Sequence, residues 1–249
     1  MECSPVYEQL EKDGNSRTEL WVRGYAPWED RIPLLICSSM GDREKDLSPT
    51  HYGFCIGDRA RNVGNPETIR GIFGGSQRIM LKEITDGSSN TILLGEIGAS
   101  GGTLASYAIN QPEKFLDEPS KFLAVAMRGG EVDPDVLQSA VKRGGLWAEG
   151  RSGAAQFNTI LPPNSPSAVI GGTLGGDGFF SASGPHPGTI NVAFGDGSTH
   201  AISVDIDCGD LSAATLNEDQ MKDGVASPYG PWGGLGSAND GTKVDASEY

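Results

Sequence analysis

A chain of 249 residues with 36 Gly and 15 Pro gives about a fifth of its positions to residues that interrupt regular helices, which argues against a helical bundle. Acidic side chains outnumber basic ones 33 to 19, for a formal net charge of −14, and no Lys/Arg-rich run occurs, so a nucleic-acid partner is excluded for want of a phosphate-tracking surface. No window approaches the roughly 18 consecutive apolar residues of a membrane span, and the opening MECSPVYEQLEKDG has neither the basic nor the apolar region of a secretory signal; no membrane insertion is expected of the chain as it stands.

At about 150 residues per domain a single globular domain over 1–249 is sufficient, with 1–30 as a less defined N-terminal segment. Hydrophobic residues make up 37% and charged residues 21%, a globular rather than disordered balance. The first 70 residues alternate apolar patches (LWVRGYAPW, IPLLIC) with charged loops. The segment RIMLKEITDGSSNTILLGEIG then places Ile79, Leu81 and Ile84 before Asp86-Gly87 and Ile92, Leu93 and Leu94 after it, which reads as an antiparallel pair over 78–97.

Two helices are expected. Glu113 to Met127 has helical composition broken or kinked at Pro119. A second spans about 134–143: Asp133 caps the free N–H groups, Pro134 suits the first position, and Val136, Leu137, Ala140 and Val141 make a one-sided stripe before Gly144-Gly145. From Gly150 to Gly188 the chain is rich in Gly, Pro, Ser and Asn, the composition of a long surface excursion with little regular structure.

The stretch SASGPHPGTINVAFGDGSTHAIS, Ser181 to Ser203, contains a β-hairpin: Ile190, Val192 and Phe194 alternate with small or polar residues, Asp196-Gly197 supplies positive φ angles, and Thr199 to Ser203 returns. A two-residue turn sets Phe194 opposite Thr199, whereas a bulged three-residue turn brings His200 and Ile202 onto the Phe194 and Val192 face. The apolar pattern leans to the bulge, and the register stays open. The fold class is therefore α+β with β dominant: an antiparallel sheet, short helices and long Gly/Pro-rich loops.

Candidate chemistry is sparse. No G-x-S-x-G elbow, H-E-x-x-H or Walker-type loop occurs, and the Gly-rich runs 171–178 and 230–236 read as loops, so no catalytic residue is assigned and an enzyme is not expected. His186 offers a neutral imidazole for a metal or sugar, with Asp196 or Glu96 near it; the plainer role is to tie the backbone of its Gly-Pro loop. Glu96 follows an apolar run and reads as a semi-buried acid or as the partner of an arginine. Asp196 and Asp86 sit where turns need a short side chain bonding its own backbone. Asp205, Asp207 and Asp210 put three hard oxygen donors in six residues, the chemistry calcium prefers, against the plainer reading of a solvated acidic loop. The four cysteines, Cys3, Cys37, Cys55 and Cys208, have no C-x-x-C spacing; either up to two disulfides form, Cys37 with Cys55 closing a short loop, or all are small buried thiols. Trp21, Trp28, Trp147 and Trp232, with Tyr107, Tyr229 and Tyr249, supply rings that could stack on a glycan or small solute or else fill a core. The candidate binding residues are His186, Asn191, Glu96, Trp147 and Trp232.

Several blocks carry a resemblance. His186 followed after nine residues by Asp196-Gly197, together with IPLLICSSM (32–40), HYGFCIGD (51–58), ITDGSSNTILLGEIG (84–98), FNTILPPNSPSA (157–168) and YGPWGGLGSANDGTKV (229–244), resembles the H-x9-D-G family of bacterial proteins with prepilin-type N-termini. That family is catalogued as domain of unknown function fifteen fifty-nine and as pseudopilin-like transporters. The resemblance implies a pilin-head-like fold over 31–249, a place at the cell envelope or outside the cell, and protein subunits of a pilin-like or secretion assembly as partners. It also implies no required cofactor, although secretion-type pseudopilins can hold calcium in a C-terminal loop. Relatives begin with a prepilin leader and a long apolar helix that the 249 residues do not include, so the chain reads as the soluble head. It also departs from the pattern at Ser38, where the usual residue after the cysteine is Pro, and at Asp240-Gly241-Thr242, where relatives have Gly-Gly-Glu.

Overall fold

The computed structural model describes residues 4–12, 25–40, 48–75, 77–98, 106–137, 142–245 and 247. In chain order its strands are β1 (Tyr52–Cys55), β2 (Phe73–Gly74), β3 (Gln77–Arg78), β4 (Ile92–Glu96), β5 (Tyr107–Gln111), β6 (Met127–Arg128), β7 (Glu131–Val132), β8 (Gln156–Phe157), β9 (Ser167–Ile170), β10 (Gly178–Phe179), β11 (Thr189–Phe194) and β12 (Thr199–Ser203). The α-helices are α1 (Ser4–Lys12), α2 (Ala26–Glu29), α3 (Pro119–Ala126), α4 (Ser152–Ala155), α5 (Glu218–Lys222) and α6 (Gly230–Gly236). The β-rich α+β class is as the sequence predicts.

The main sheet runs β12-β11-β4-β1-β8, antiparallel except where β8 lies parallel to β1. Directly opposed residues share a face. Gly53, Gly95 and Val192 line up on the inner face, against a core of Ile92, Phe157, Ile190, Ile202, Trp232 and their neighbours. Phe54, Leu94, Ala193 and Thr199 form one row of the outer face, and Tyr52 and Glu96 start the next.

The predicted pairing over 78–97 does not form. β4 already has β1 on one edge and β11 on the other, and the preceding segment instead makes two short 3-10 turns, Leu81–Glu83 and Ser88–Asn90. Met80 and Leu81 are exposed, while the N–H groups of Thr85 and Asp86 both donate to the Ala238 carbonyl, tying this stretch to the C-terminal region.

The helix expected near 113–127 appears in two parts, a 3-10 segment Glu113–Asp117 and then α3, parted at Glu118 by the extended backbone required before Pro119. At 134–143 the structure has a turn over 134–136 with Asp133 Oδ1 accepting the Asp135 N–H at 3.0 Å; residues 138–141 lie outside the described residues, and 142–145 are not helical. Asp133 thus begins a turn rather than capping a full helix.

The stretch 150–188 is not a surface excursion. It holds α4, β8, β9 and β10 and buries Phe157, Ile160, Leu161, Val169, Phe179, Phe180 and Ala182. Buried loops need partners for their backbone, and side chains supply them. Asn158 Nδ2 donates to the carbonyls of Arg59 and Gly178 at 2.9 Å each and its Oδ1 accepts from Phe180 N–H, while the buried Arg143 guanidinium donates to the carbonyls of Ser181 and Gln156.

The hairpin takes the bulged register. Val192 faces His200 and Ile190 faces Ile202, and Phe194 N–H reaches the Ser198 carbonyl at 2.9 Å across a three-residue loop. Gly197 alone of the Asp-Gly pair has positive φ, +87°, the G1-bulge position. The Gly-rich run 230–236 is the helix α6 rather than a loop. Its glycines permit close approach: a Cβ on Gly236 would meet the Thr159 hydroxyl, and one on Gly233 the Ser227 hydroxyl.

Candidate functional site

Two loops roof the Tyr52 and Glu96 end of the outer sheet face. Glu96 is the last residue of β4 and only 1% exposed. Where the β4–β11 ladder stops, its carboxylate stands in for the next backbone carbonyl: Oε2 accepts the Asn191 N–H at 2.8 Å, and Oε1 accepts from Asn191 Nδ2 at 3.3 Å. His186, in the loop leading into β11, brings Nε2 to 3.0 Å from Glu96 Oε1. Cys37, from the segment between two 3-10 turns, brings Sγ to 3.8 Å from the same Nε2. The ligand atoms of these three residues all lie within 4.8 Å of one another.

The positions are set by neighbours. The Cys37 N–H donates to Nδ1 of buried His51 at 2.9 Å, and His51 N–H donates to the Leu35 carbonyl, so the residue just before β1 holds the cysteine loop. Gly184 crosses so close to Glu96 that a Cβ there would collide with Oε2. Tyr52, directly opposite Glu96 in the β1–β4 register, has its phenol pKa raised, first by burial and then by Cys37 and Glu96.

A nucleophile, base and orienting acid would meet two different nitrogens of the imidazole. Here thiol and carboxylate both face Nε2, so the three donors surround one point instead of forming a relay. Among the described residues this is the one group of three or more His, Cys, Asp and Glu side chains with ligand atoms so close together.

A family model described as "Protein of unknown function (DUF1559)" matches residues 1–209, most of the chain. The chain belongs to this family. No curated protein and no solved structure matches it. The matched span of the DUF1559 chain contains Cys37, Glu96, His186 and the hairpin; the C-terminal block 229–244 lies beyond it.

Of the sequence-predicted residues, His186, Glu96 and Asn191 come together, and Glu96 has His186 as its partner rather than an arginine. Asp196 and Gly197 lie at the opposite end of the hairpin, where Asp196 Oδ1 accepts from Ser198 N–H at 2.9 Å and Ser198 Oγ at 2.7 Å, which lowers its pKa. Trp232 is wholly buried with Nε1 donating to the Leu161 carbonyl, so it belongs to the core and presents no stacking face. Trp147 is half-buried, donates to the Asp30 carbonyl and packs edge-on against Trp28 at 5.5 Å. Trp21 and Tyr249 lie outside the described residues.

The three acids proposed for calcium do not form a group with ligand atoms within 4.8 Å of one another. Asp207 accepts its own Gly209 N–H, Asp210 accepts Ser212 N–H and Oγ, and Asp205 is exposed on the turn after β12. The Cys37–Cys55 bridge is absent too: both are free thiols, Cys37 beside His186 and Cys55 inside the core, where burial pushes its pKa up to about 12.

The sequence reading missed a buried charge cluster in the DUF1559 chain. Arg70 donates through Nε to Asp58 Oδ1 at 2.6 Å and through a terminal nitrogen to Asp240 Oδ2 at 3.1 Å, with all three side chains inaccessible. Asp86 is not confined to its own turn; its carboxylate accepts the N–H groups of Asp240 and Gly241. The signal available was that HYGFCIGD, ITDGSSNT and SANDGT each contain an acid; nothing marked Arg70.

Proposed function

We propose that this DUF1559 chain is the non-enzymatic globular head of a pseudopilin-like cell-envelope protein, working through its surface in a filament-type or secretion-type assembly. The observation that carries this reading is the outer row of the main sheet: Phe54, 43% exposed, with Leu94, Ala193 and Thr199 beside it and Ala201 on the same sheet face. Exposed contiguous apolar surface marks sites of association, and a sheet face of this kind is what an amphipathic or apolar helix covers. The occupant is an apolar helix from a neighbouring envelope subunit. The acidic surface keeps the head itself soluble.

The test places a photo-crosslinking residue at position 54 or 201 in cells making the full gene product. Adducts that map to an apolar helix of an envelope subunit support the reading, and adducts confined to cytoplasmic proteins overturn it. A tight, large-interface oligomer of the isolated head in light scattering would also overturn it, since assembly should need that helix.

A second reading, binding of a small solute or glycan, is favoured by a groove of about 500 Å³ that takes in the same face, lined there by Tyr52, Leu94, Asn191, Thr199 and Ala201. A glycan panel titrated against tryptophan fluorescence tests it. A flat response at millimolar ligand removes it.

A further inference from the structure

We propose that Cys37, Glu96 and His186 form a zinc(II) site with three protein ligands and one open position, a site that stands whether or not the head joins an assembly.

The donor set selects the ion. Thiolate, imidazole and carboxylate are the ligands of zinc, whereas calcium and magnesium take oxygen alone. Bond lengths of about 2.3 Å to sulfur and about 2.0–2.2 Å to nitrogen and oxygen, in a tetrahedron, separate sulfur from nitrogen by roughly 3.6 Å and nitrogen from oxygen by roughly 3.3 Å. Here Sγ to Nε2 is 3.8 Å and Nε2 to Oε1 is 3.0 Å. Those two separations are within a few tenths of an ångström of the tetrahedral values, and the third, sulfur to carboxylate, is within 4.8 Å and closes when the ion draws the thiolate in.

Charge also balances. A dication with one thiolate, one carboxylate and a neutral imidazole sums to zero, so the buried site carries no uncompensated charge. The thiol proton passes to solvent on binding, with the second proton of the imidazole if it is charged, so that the ring stays neutral with its remaining proton on Nδ1, and no electron changes hands. The ligands are held by outer hydrogen bonds of the kind that orient metal-binding residues: Asn191 N–H on Glu96 Oε2, and His51 Nδ1 on the Cys37 N–H. Gly184 leaves the carboxylate room where any side chain would displace it. Among the three ligands the His186 side chain, 28% exposed, is the most accessible, which gives the ion its way in.

The experiment titrates the full, reduced, chelator-stripped chain with zinc against a chromophoric competitor, then uses cobalt(II) as a spectroscopic probe. The expected result is one equivalent of zinc and a thiolate-to-cobalt charge-transfer band with tetrahedral visible absorption. Cys37→Ser should abolish the band, His186→Gln should weaken zinc by at least about 100-fold, and His51→Gln should weaken it by about 10–100-fold. Melts by circular dichroism accompany each variant; if Cys37→Ser does not fold, His186→Gln, the most exposed ligand, decides. Failure of the wild type to take up one equivalent overturns the proposal, as does a thiolate band that survives Cys37→Ser and disappears in Cys3→Ser or Cys208→Ser.

Discussion

The Asp86 carboxylate accepts the backbone N–H of Asp240 at 2.8 Å and of Gly241 at 2.9 Å, joining two segments 154 positions apart. Burial is the largest influence on this group and raises its pKa, with the neighbouring Asp240 carboxylate acting in the same direction and the two N–H donors against it. A carboxyl whose pKa is higher folded than unfolded adds stability below its unfolded pKa, and loses it as pH rises through the folded value. Wild type should therefore lose stability relative to Asp86→Asn as pH rises above about 4. Chemical denaturation of both proteins across the acid range checks this; a difference that grows in favour of wild type with rising pH contradicts it.

Arg70 holds Asp58 and Asp240 together without access to water. Removing one member of a buried ion cluster leaves the other charges uncompensated, at a cost on the order of 3–5 kcal/mol. Arg70→Met should accordingly lower the unfolding free energy measured in urea by an amount of that order, and Asp58→Asn with Arg70→Met together should cost less than the sum of the two singles. Additive singles would show that the cluster contributes through packing alone.

Burial pushes the thiols of Cys55 and Cys208 up to about 12. The thiolate is the reactive form, so neither should alkylate at neutral pH in the folded protein, and both should react once it is unfolded. Mass mapping after a timed iodoacetamide pulse reads this directly. Native-state modification of Cys55 would mean that the inner sheet face opens.

Trp232 fills the core between α6 and the inner sheet face, its indole N–H donating to the Leu161 carbonyl at 3.0 Å. Trp232→Ala should cost about 3–5 kcal/mol, and Trp232→Phe less, though it strands that carbonyl. Gly236→Ala should destabilise by forcing Thr159 aside. Equilibrium unfolding of the three variants ranks them.

Periodicity made the β11–β12 hairpin readable, since its alternation survives on one local stretch with an Asp-Gly turn. The Glu96 and His186 pairing was readable in part, because both residue types stood out near apolar runs. The contribution of Cys37, fixed through His51, was not, because it depends on the residue just before β1 holding a loop that only the tertiary fold brings over Glu96. Asp86-Gly87 misled for a physical reason: an Asp-Gly turn between apolar runs looks like a hairpin, and no local pattern shows that both edges of β4 are already taken. The burial of 150–188 was hidden because Gly, Pro and Ser compositions normally face water, and the partners that permit burial, Asn158 and Arg143, bind backbone that composition cannot locate. α6 was hidden in the same way, its glycines serving contact with Thr159 and Ser227.

The position of β4 between β1 and β11 also sets an order of events. Only β11 with β12 is a contact between near neighbours within the main sheet; β4 must wait about a hundred residues for its second partner. Loop closure over such spans is slow and comes before the contacts that reward it. During synthesis Ile92, Leu93 and Leu94 therefore leave the ribosome without their final edge, and the main sheet cannot close until residues near 194 have followed. A nascent chain halted between those points would expose a bare, apolar strand edge, the species most prone to associate with its own kind.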